Sequence, residues 1–379
     1  MSIKKALYPI WLAVLGFGIL IGFYTAMKLF TDGHILFNTN DVIIWSLPLG
    51  VYIFLALTSS GLTLLSAIPL VFGVGKYEPF AKRLVFLAIA TLCGGFVSIG
   101  LELGTVTHMI YIMLSPNLSS PIWWMGAIYS VELVLLVIKF WRLHAGDWHS
   151  RFSKFLGSAS FFCALAAPLM IGSVFGLTES RITFFGPVMS IYCLLMAFLS
   201  GLSFFILYSV VVEKIGSSTS KDFENIIKEF ITIFRYAASA VVVFTLVKIA
   251  IESATVVPEF LVSTKFKYAF GALGRVPNEV VFGLFLPFIL LLIPVLMKSA
   301  GGRVFTSVLM WAGALAMHMQ ILIAGQSHPI GPKAEQFPEF MAYSPSKWEW
   351  LVFLFAITVM LLLYTLGERY LKLTGARAD

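Results

Sequence analysis

The sequence predicts an all-α polytopic membrane protein of about ten transmembrane helices, and three observations lead there. Apolar runs of about 20 residues or more, the length that spans a bilayer, follow one another along the chain. The runs are continuous rather than alternating, which excludes a β-barrel. Of the 379 residues, 59% are hydrophobic and 12% charged, and the mean hydropathy is +0.93. No soluble core needs that much apolar surface, so the backbone must satisfy its own hydrogen bonds inside helices.

Ten segments meet the length requirement: 6–30, 45–72, 84–114, 122–140, 155–177, 183–212, 230–253, 280–297, 304–324 and 350–366. The first follows Lys4 and Lys5, as a signal peptide would. Its apolar stretch is too long and lacks a small-residue cleavage site, so an uncleaved span is expected. The second, third and sixth are long enough to tilt or overhang.

Loop charge sets the expected orientation. Seventeen lysines and arginines, among them Lys4, Lys82, Arg142, Arg303 and Arg369, fall on one side, against seven on the other. The richer side is expected to be cytoplasmic, with both termini inside a bacterial or archaeal cytoplasmic membrane. The net charge of +7 therefore reports topology rather than nucleic-acid binding. Cys93, Cys163 and Cys193 each stand alone in an apolar run, with no CxxC, iron–sulfur or disulfide spacing, and read as small buried hydrophobes.

Two stretches echo each other. Tyr52 precedes Gly61 by nine residues and Tyr192 precedes Gly201 by nine, with Pro48 and Pro187 just before the tyrosines. Downstream, Glu102-Leu-Gly-Thr105-Val106 is answered by Glu252-Ser-Ala-Thr255-Val256, and Pro121 by Pro277. A shift of four spans preserves direction, so the repeat is parallel. The expected organisation is one integral domain: a first helix (6–30), a four-helix bundle (45–177), a second (183–324), a loop (325–348) outside the cytoplasm and a last helix (350–366).

Ionisable groups inside a bilayer are costly and mark function or pairing. Glu102 and His108, Lys248 and Glu252, Glu279, and His318 with Gln320 lie toward the outer ends of their spans, Glu132 near the middle of the fourth, and Arg235 near the inner end of the seventh. Lys248 and Glu252 are four apart and share a helix face, so a neutralised pair is their plain structural reading. Acids and histidines at one membrane edge suit a redox–proton site. Reducing a quinone takes two electrons and two protons, with hydrogen-bond donors to its carbonyls and groups that exchange protons with water. Trp45, Tyr52, Trp123 and Trp124 lie near that edge, the last two as interfacial anchors. Of six histidines only His108 and His318 are intramembrane, too few for a two-haem cytochrome.

Several motifs, in order, carry a resemblance. Trp45-Ser-Leu-Pro48-Leu-Gly50-Val-Tyr52 opens the second span, and Glu102-Leu-Gly104 ends the third. Met113-Leu-Ser-Pro116-Asn117-Leu-Ser-Ser120-Pro121 follows, and Tyr343-Ser-Pro345-Ser-Lys-Trp348-Glu349 opens the last helix. Together they resemble the NrfD, or polysulfide-reductase membrane-subunit, family over nearly the whole chain, in its ten-helix branch with periplasmic hydrogenase, alternative complex III and Dsr-type membrane subunits. Two departures stand out. Thr105-Val106 replaces the usual Arg or Gln with Pro, and Ile171–Gly176 lacks the histidine that some relatives carry there.

The resemblance implies a quinone-reactive membrane anchor of a respiratory oxidoreductase. Menaquinone or ubiquinone would be its bound substrate, and no haem or iron–sulfur cluster is expected in this chain. It would exchange electrons with an extracytoplasmic ferredoxin-like iron–sulfur subunit joined to a catalytic subunit of hydrogenase, molybdopterin or multihaem type, with proton translocation as a further expected coupling. The outer loop 325–347 is the expected dock. Trp45, Tyr52, Glu102, His108, His318 and Gln320 are the candidate quinone-binding residues, and Glu132, Arg235, Lys248, Glu252 and Glu279 the candidate proton-pathway residues. No metal site is expected. Two rivals from other classes remain: a secondary transporter, which transport by the chain alone would favour, and a one-haem cytochrome b anchor ligated by His108 and His318, which a reduced-minus-oxidised spectrum decides.

Overall fold

The computed structural model describes residues 3–104, 110–181, 184–216, 221–254, 278–331, 334–337, 341–371 and 373. Among the described residues the ten longest helical elements follow in order: α1 (Ile3–Asp32), α2 (Leu47–Leu70), α3 (Glu78–Glu102), α4 (Pro121–His144), α5 (Arg151–Gly176), α6 (Val188–Gly216), α7 (Lys221–Ala254), α8 (Asn278–Leu292), α9 (Ala300–Ala324) and α10 (Lys347–Tyr370). Among the described residues, nine helices are long and apolar enough to cross a membrane, α8 being the shorter exception. The chain is a multi-pass integral membrane protein.

The eighth span was expected over 280–297, and the structure builds it from three pieces. It opens with a π-helical turn at Val281–Phe285, continues as Leu286–Leu292, and breaks at Ile293 (φ −81°, ψ 107°) before a short helix Pro294–Lys298. Two prolines explain both features. Pro287 has no N–H to donate, and its ring crowds the preceding turn, which widens. Pro294 pushes Ile293 out of the helical region. Arg235 of α7 donates from Nε to the Leu291 carbonyl at 2.8 Å, satisfying a group near the break.

Helix α2 is the axis of the molecule and packs on α3, α5, α6, α9 and α10. Over its most apolar 18 residues 94% are buried, against 22% in α1 and 17% in α4. A helix buried on every side must close its polar side chains locally. Thr58, Thr63 and Ser66 do so by donating to the carbonyls of Phe54, Ser59 and Thr63 at 2.8, 3.1 and 2.7 Å, while Ser59 reaches the Ala88 carbonyl of α3 at 2.8 Å. Its approach to α6 is close enough to demand glycine. A Cβ on Gly61 would stand 1.9 Å from the Ala197 oxygen, and one on Gly201 2.5 Å from the Gly61 carbonyl carbon.

The helices place residues 36–46, 177–181, 184–187, 325–331, 334–337 and 341–346 at one end, where α3 finishes at Glu102, and residues 71–77 and 145–150 at the other, where α4 finishes beyond Lys139. The Lys139 end is tied by ion pairs. Arg83 reaches Glu368 at 2.8 Å, Arg303 reaches Glu224 at 2.9 Å, and Tyr77 and Lys76 reach Glu229 at 2.6 and 2.7 Å. Arg142 pairs with Asp147, which also receives the Ser150 hydroxyl at 2.6 Å.

Candidate functional site

The site grows from the start of α2. Helix N-termini leave backbone N–H groups without intrahelical partners. Here four consecutive amides just before and at that start are claimed by side chains from three other segments. Ile44 and Trp45 both donate to Gln326 Oε1, at 3.0 and 2.8 Å. Ser46, the N-cap, donates its amide to Glu102 Oε1 at 3.0 Å, and its hydroxyl lies 2.7 Å from Glu102 Oε2. Leu47 donates to the Tyr343 hydroxyl at 2.8 Å.

The network continues outward. The Tyr343 hydroxyl donates to Glu349 Oε1, while Glu349 Oε2 accepts from the amides of Asn38 at 3.2 Å and Ser346 at 2.5 Å. Ser346 and Glu349 form a capping box that starts α10. Burial, and then the Glu349 carboxylate beside it, push the Tyr343 hydroxyl above the usual phenol range, so it stays protonated and donates. Gln326 donates from Nε2 to the carbonyls of Trp45 and Leu322, each at 3.1 Å. Arg181 holds the same loop through the Gln326 and His328 carbonyls at 3.1 and 2.5 Å.

Glu102 thus ends α3 with its carboxylate against the positive end of α2, where an anion is favoured. It is half-buried, as is Trp45, whose ring lies edge-on to Phe175 at 5.4 Å and 6.4 Å from Phe184. A half-buried carboxylate, a hydroxyl, a neutral phenol, a carboxamide and an aromatic wall thus bring acid–base and hydrogen-bonding groups together in one place.

The other expected residues fall elsewhere. Tyr52 is buried deeper along α2, 6.2 Å from the Tyr129 ring and 6.5 Å from Phe96. His318 is buried on α9, its Nδ1 on the Ala314 carbonyl at 2.5 Å and its ring 6.0 Å from Tyr192 of α6. Among the described residues no hydrogen bond or ring contact joins His318 to Glu102. Gln320 is half-buried one turn short of Ala324. His108 lies outside the described residues, as does the side chain of Glu252 and with it the expected pairing to Lys248, which is half-buried on α7. Glu279 is half-buried at the start of α8, with Oε2 enclosed and unpartnered. Glu132 is fully buried on α4 with both oxygens unpartnered.

Sequence reasoning did not place Ser46, Gln326 or Arg181 in the site. Ser46 carried a signal, a serine two residues before a proline at a helix start. Tyr343 and Glu349 stood only in a motif. An apolar groove of about 510 Å³ lined by Leu195, Ser239, Ala240, Val243, Phe244 and Val247 lies between α6 and α7, and none of those residues belongs to the network.

Comparison with known proteins adds a second line of support. A family model described as polysulphide reductase, NrfD, matches residues 35–329. The "Hdr-like menaquinol oxidoreductase integral membrane subunit" of Archaeoglobus fulgidus is 23% identical over 337 residues, covering 84% of this chain and 82% of that protein. A Halobacterium salinarum protein, named as a membrane subunit of dimethyl sulfoxide reductase, is 24% identical over 230 residues, covering 55% of this chain and 53% of that protein.

Proposed function

The chain belongs to the polysulphide reductase NrfD family, and from that premise we propose that it is the quinone- or quinol-binding integral membrane subunit of a respiratory oxidoreductase complex. The observation that carries this reading is the Glu102 carboxylate seated on the Ser46 amide and hydroxyl at the start of α2. A quinone headgroup needs donors to its carbonyls and an acid–base group that reaches water. Trp45 and Glu102 offer these within one half-buried patch, Ser46 is buried beneath them and holds the Glu102 carboxylate, and Tyr52 lies deeper on the same helix. Menaquinol is the substrate named for the Archaeoglobus relative, and it is the form we assign here.

The Glu102 end faces away from the cytoplasm in this reading, because the lysine- and arginine-rich loops lie at the other end. Both termini are then cytoplasmic. An extracytoplasmic iron–sulfur subunit docks on the loop after α9, which Arg181 holds through Gln326 and His328, and passes electrons to or from a catalytic subunit. His108 and His318 stay as further candidates, His318 at the Tyr192 contact on α6. The parallel pair of four-helix bundles is proposed with it, their glycines Gly61 and Gly201 at the crossing.

A photoreactive menaquinone analogue cross-linked to the assembled complex and mapped by mass spectrometry tests this. Adducts on residues 45–52 and 98–104, displaced by unlabelled menaquinone, are expected. Displaceable adducts confined to the apolar groove at 195 and 239–247 would overturn it.

A further inference from the structure

Arg235 carries a charge that no described carboxylate answers. The arginines that tie the Lys139 end each meet one: Arg83 meets Glu368, Arg142 meets Asp147 and Arg303 meets Glu224. Arg235 lies six residues along α7 from Glu229, about 9 Å further into the membrane. Its Nε donates to the Leu291 carbonyl at 2.8 Å. Among the described residues, no hydrogen bond or ion pair engages its two Nη groups, and they are not enclosed. A guanidinium stays charged at every accessible pH, so it does not escape the cost by losing a proton. A charge at that depth turns to an anion or a polar group.

The surroundings leave room for a headgroup on one side and for a chain on the other. Helix α8, Asn278–Leu292, rises about 22 Å against a hydrocarbon core of about 30 Å. It stops short of the Lys139 end, and the chain turns at Ile293 into Pro294–Lys298, with Val295 77% exposed. Arg235 holds the Leu291 carbonyl beside that notch. Helix side chains lean toward the N-terminus, so the guanidinium leans toward the Lys139 end and the headgroup level.

Toward the membrane centre, steps of four from Arg235 give Ser239, Val243 and Val247, which share its face. These three, with Leu195 of α6, line the apolar groove of about 510 Å³. Ser239 closes its hydroxyl on the Arg235 carbonyl at 2.8 Å and brings no unmet donor to the groove. From Ser239 to Val247 the groove follows about 12 Å of helix. A lone cation at one end of an apolar groove along the membrane normal is the complement of a phospholipid. A net-anionic headgroup suits it best, because a zwitterionic one brings its own cation.

We propose that Arg235 and the α6–α7 groove bind one anionic phospholipid of the leaflet at the Lys139 end, with its phosphate on the Arg235 Nη groups and one apolar chain along Ser239, Val243 and Val247. Arginine and phosphate match as a two-pronged fork. The site lies on α6 and α7, away from Glu102, and stands whether or not the quinone reading does. The bound lipid joins α6 to α7 beside the α8 break, so it stabilises the fold by mass action.

The test uses the full chain, purified in detergent, stripped of lipid and offered mixtures of phosphatidylglycerol and phosphatidylcholine. Native mass spectrometry counts the lipid retained, and thermal unfolding is read alongside. The wild type is expected to retain one phosphatidylglycerol in preference to phosphatidylcholine, with a raised melting temperature. Arg235→Met should lower that retention about tenfold, the scale of one charge-assisted hydrogen bond, and Arg235→Lys should fall between. Val243→Trp fills the groove and should lose the lipid with Arg235 intact; it serves if Arg235→Met fails to fold. Equal retention of the two lipids by the wild type, or undiminished phosphatidylglycerol in Arg235→Met, overturns the proposal. Displacement by inorganic phosphate, with Val243→Trp binding as wild type does, leaves a bare anion site and overturns the lipid. Displacement by menaquinone gives the groove to a quinone tail and overturns it as well.

Discussion

Gly61 and Gly201 meet backbone to backbone where α2 crosses α6. The Gly61 Cα lies 2.6 Å from the position a Cβ on Gly201 would occupy, and the Gly201 Cα 2.9 Å from that of a Cβ on Gly61. The two residues stand nine positions after Tyr52 and Tyr192. Small residues let membrane helices approach to van der Waals contact, where packing rather than the hydrophobic effect holds them. No side-chain rotation relieves the clash a methyl would make, because the obstructing atoms are backbone.

Gly61→Ala or Gly201→Ala should therefore destabilise the detergent-solubilised protein by about 1–3 kcal/mol or more. Gly16→Ala on α1, where a Cβ meets nothing within 4 Å, should be close to neutral. Thermal unfolding of the three variants side by side measures the contrast, and equal melting temperatures would refute the close crossing.

Gln326→Ala should strip the acceptor from the Ile44 and Trp45 amides and the donor from the Trp45 carbonyl. Leaving such groups without partners costs about 1–3 kcal/mol. The start of α2 should loosen, so amide hydrogen exchange at residues 44–47 should rise while exchange in the core of α6 stays unchanged.

Ser346→Ala removes the side-chain half of the capping box that opens α10. The expected loss is about 1 kcal/mol, within the range for N-cap serines. Ser346→Asp, which keeps an acceptor, should recover most of it in the same thermal assay.

Asp147 gives a pH signature. The Ser150 hydroxyl and amide, the Ser153 hydroxyl and Arg142 hold its carboxyl well below the usual carboxylate range. A folded pKa below the unfolded one stabilises the fold above the ordinary value of about 4, and that contribution is lost as pH falls further. Asp147→Asn should flatten the acid limb of the stability profile below that pH and leave the neutral limb parallel to wild type. Melting temperature against pH reads this, and an unchanged acid limb would count against the assignment.

The fold class was legible because long apolar runs allow few alternatives. The breaks within the eighth span were not legible although Pro287 and Pro294 are both visible, because hydropathy measures how apolar a segment is and not whether its backbone stays helical. The site was legible in part. Trp45 and Glu102 stand in one network because each ends a span at the same edge. His318 lies at a similar depth by sequence yet turns toward Tyr192, since depth along a helix says nothing about azimuth without the partner helix. Gln326 escaped notice because a neutral carboxamide just beyond a span end carries no signal until the amides it clasps are in place. Glu132 was visible as a mid-span acid, while Ser60, whose hydroxyl reaches Tyr129 on the same helix as Glu132, looks like an ordinary small membrane residue in the sequence.

The central claim is that Glu102 serves the quinone directly, and Glu102→Gln in the fully assembled complex tests it most closely. The amide keeps the size and can still accept from Ser46, so assembly should survive. Quinol turnover should fall about 100-fold, the scale of a lost acid–base group, together with weaker competition by quinone-site inhibitors. Normal turnover with normal inhibitor binding in that variant would contradict the account.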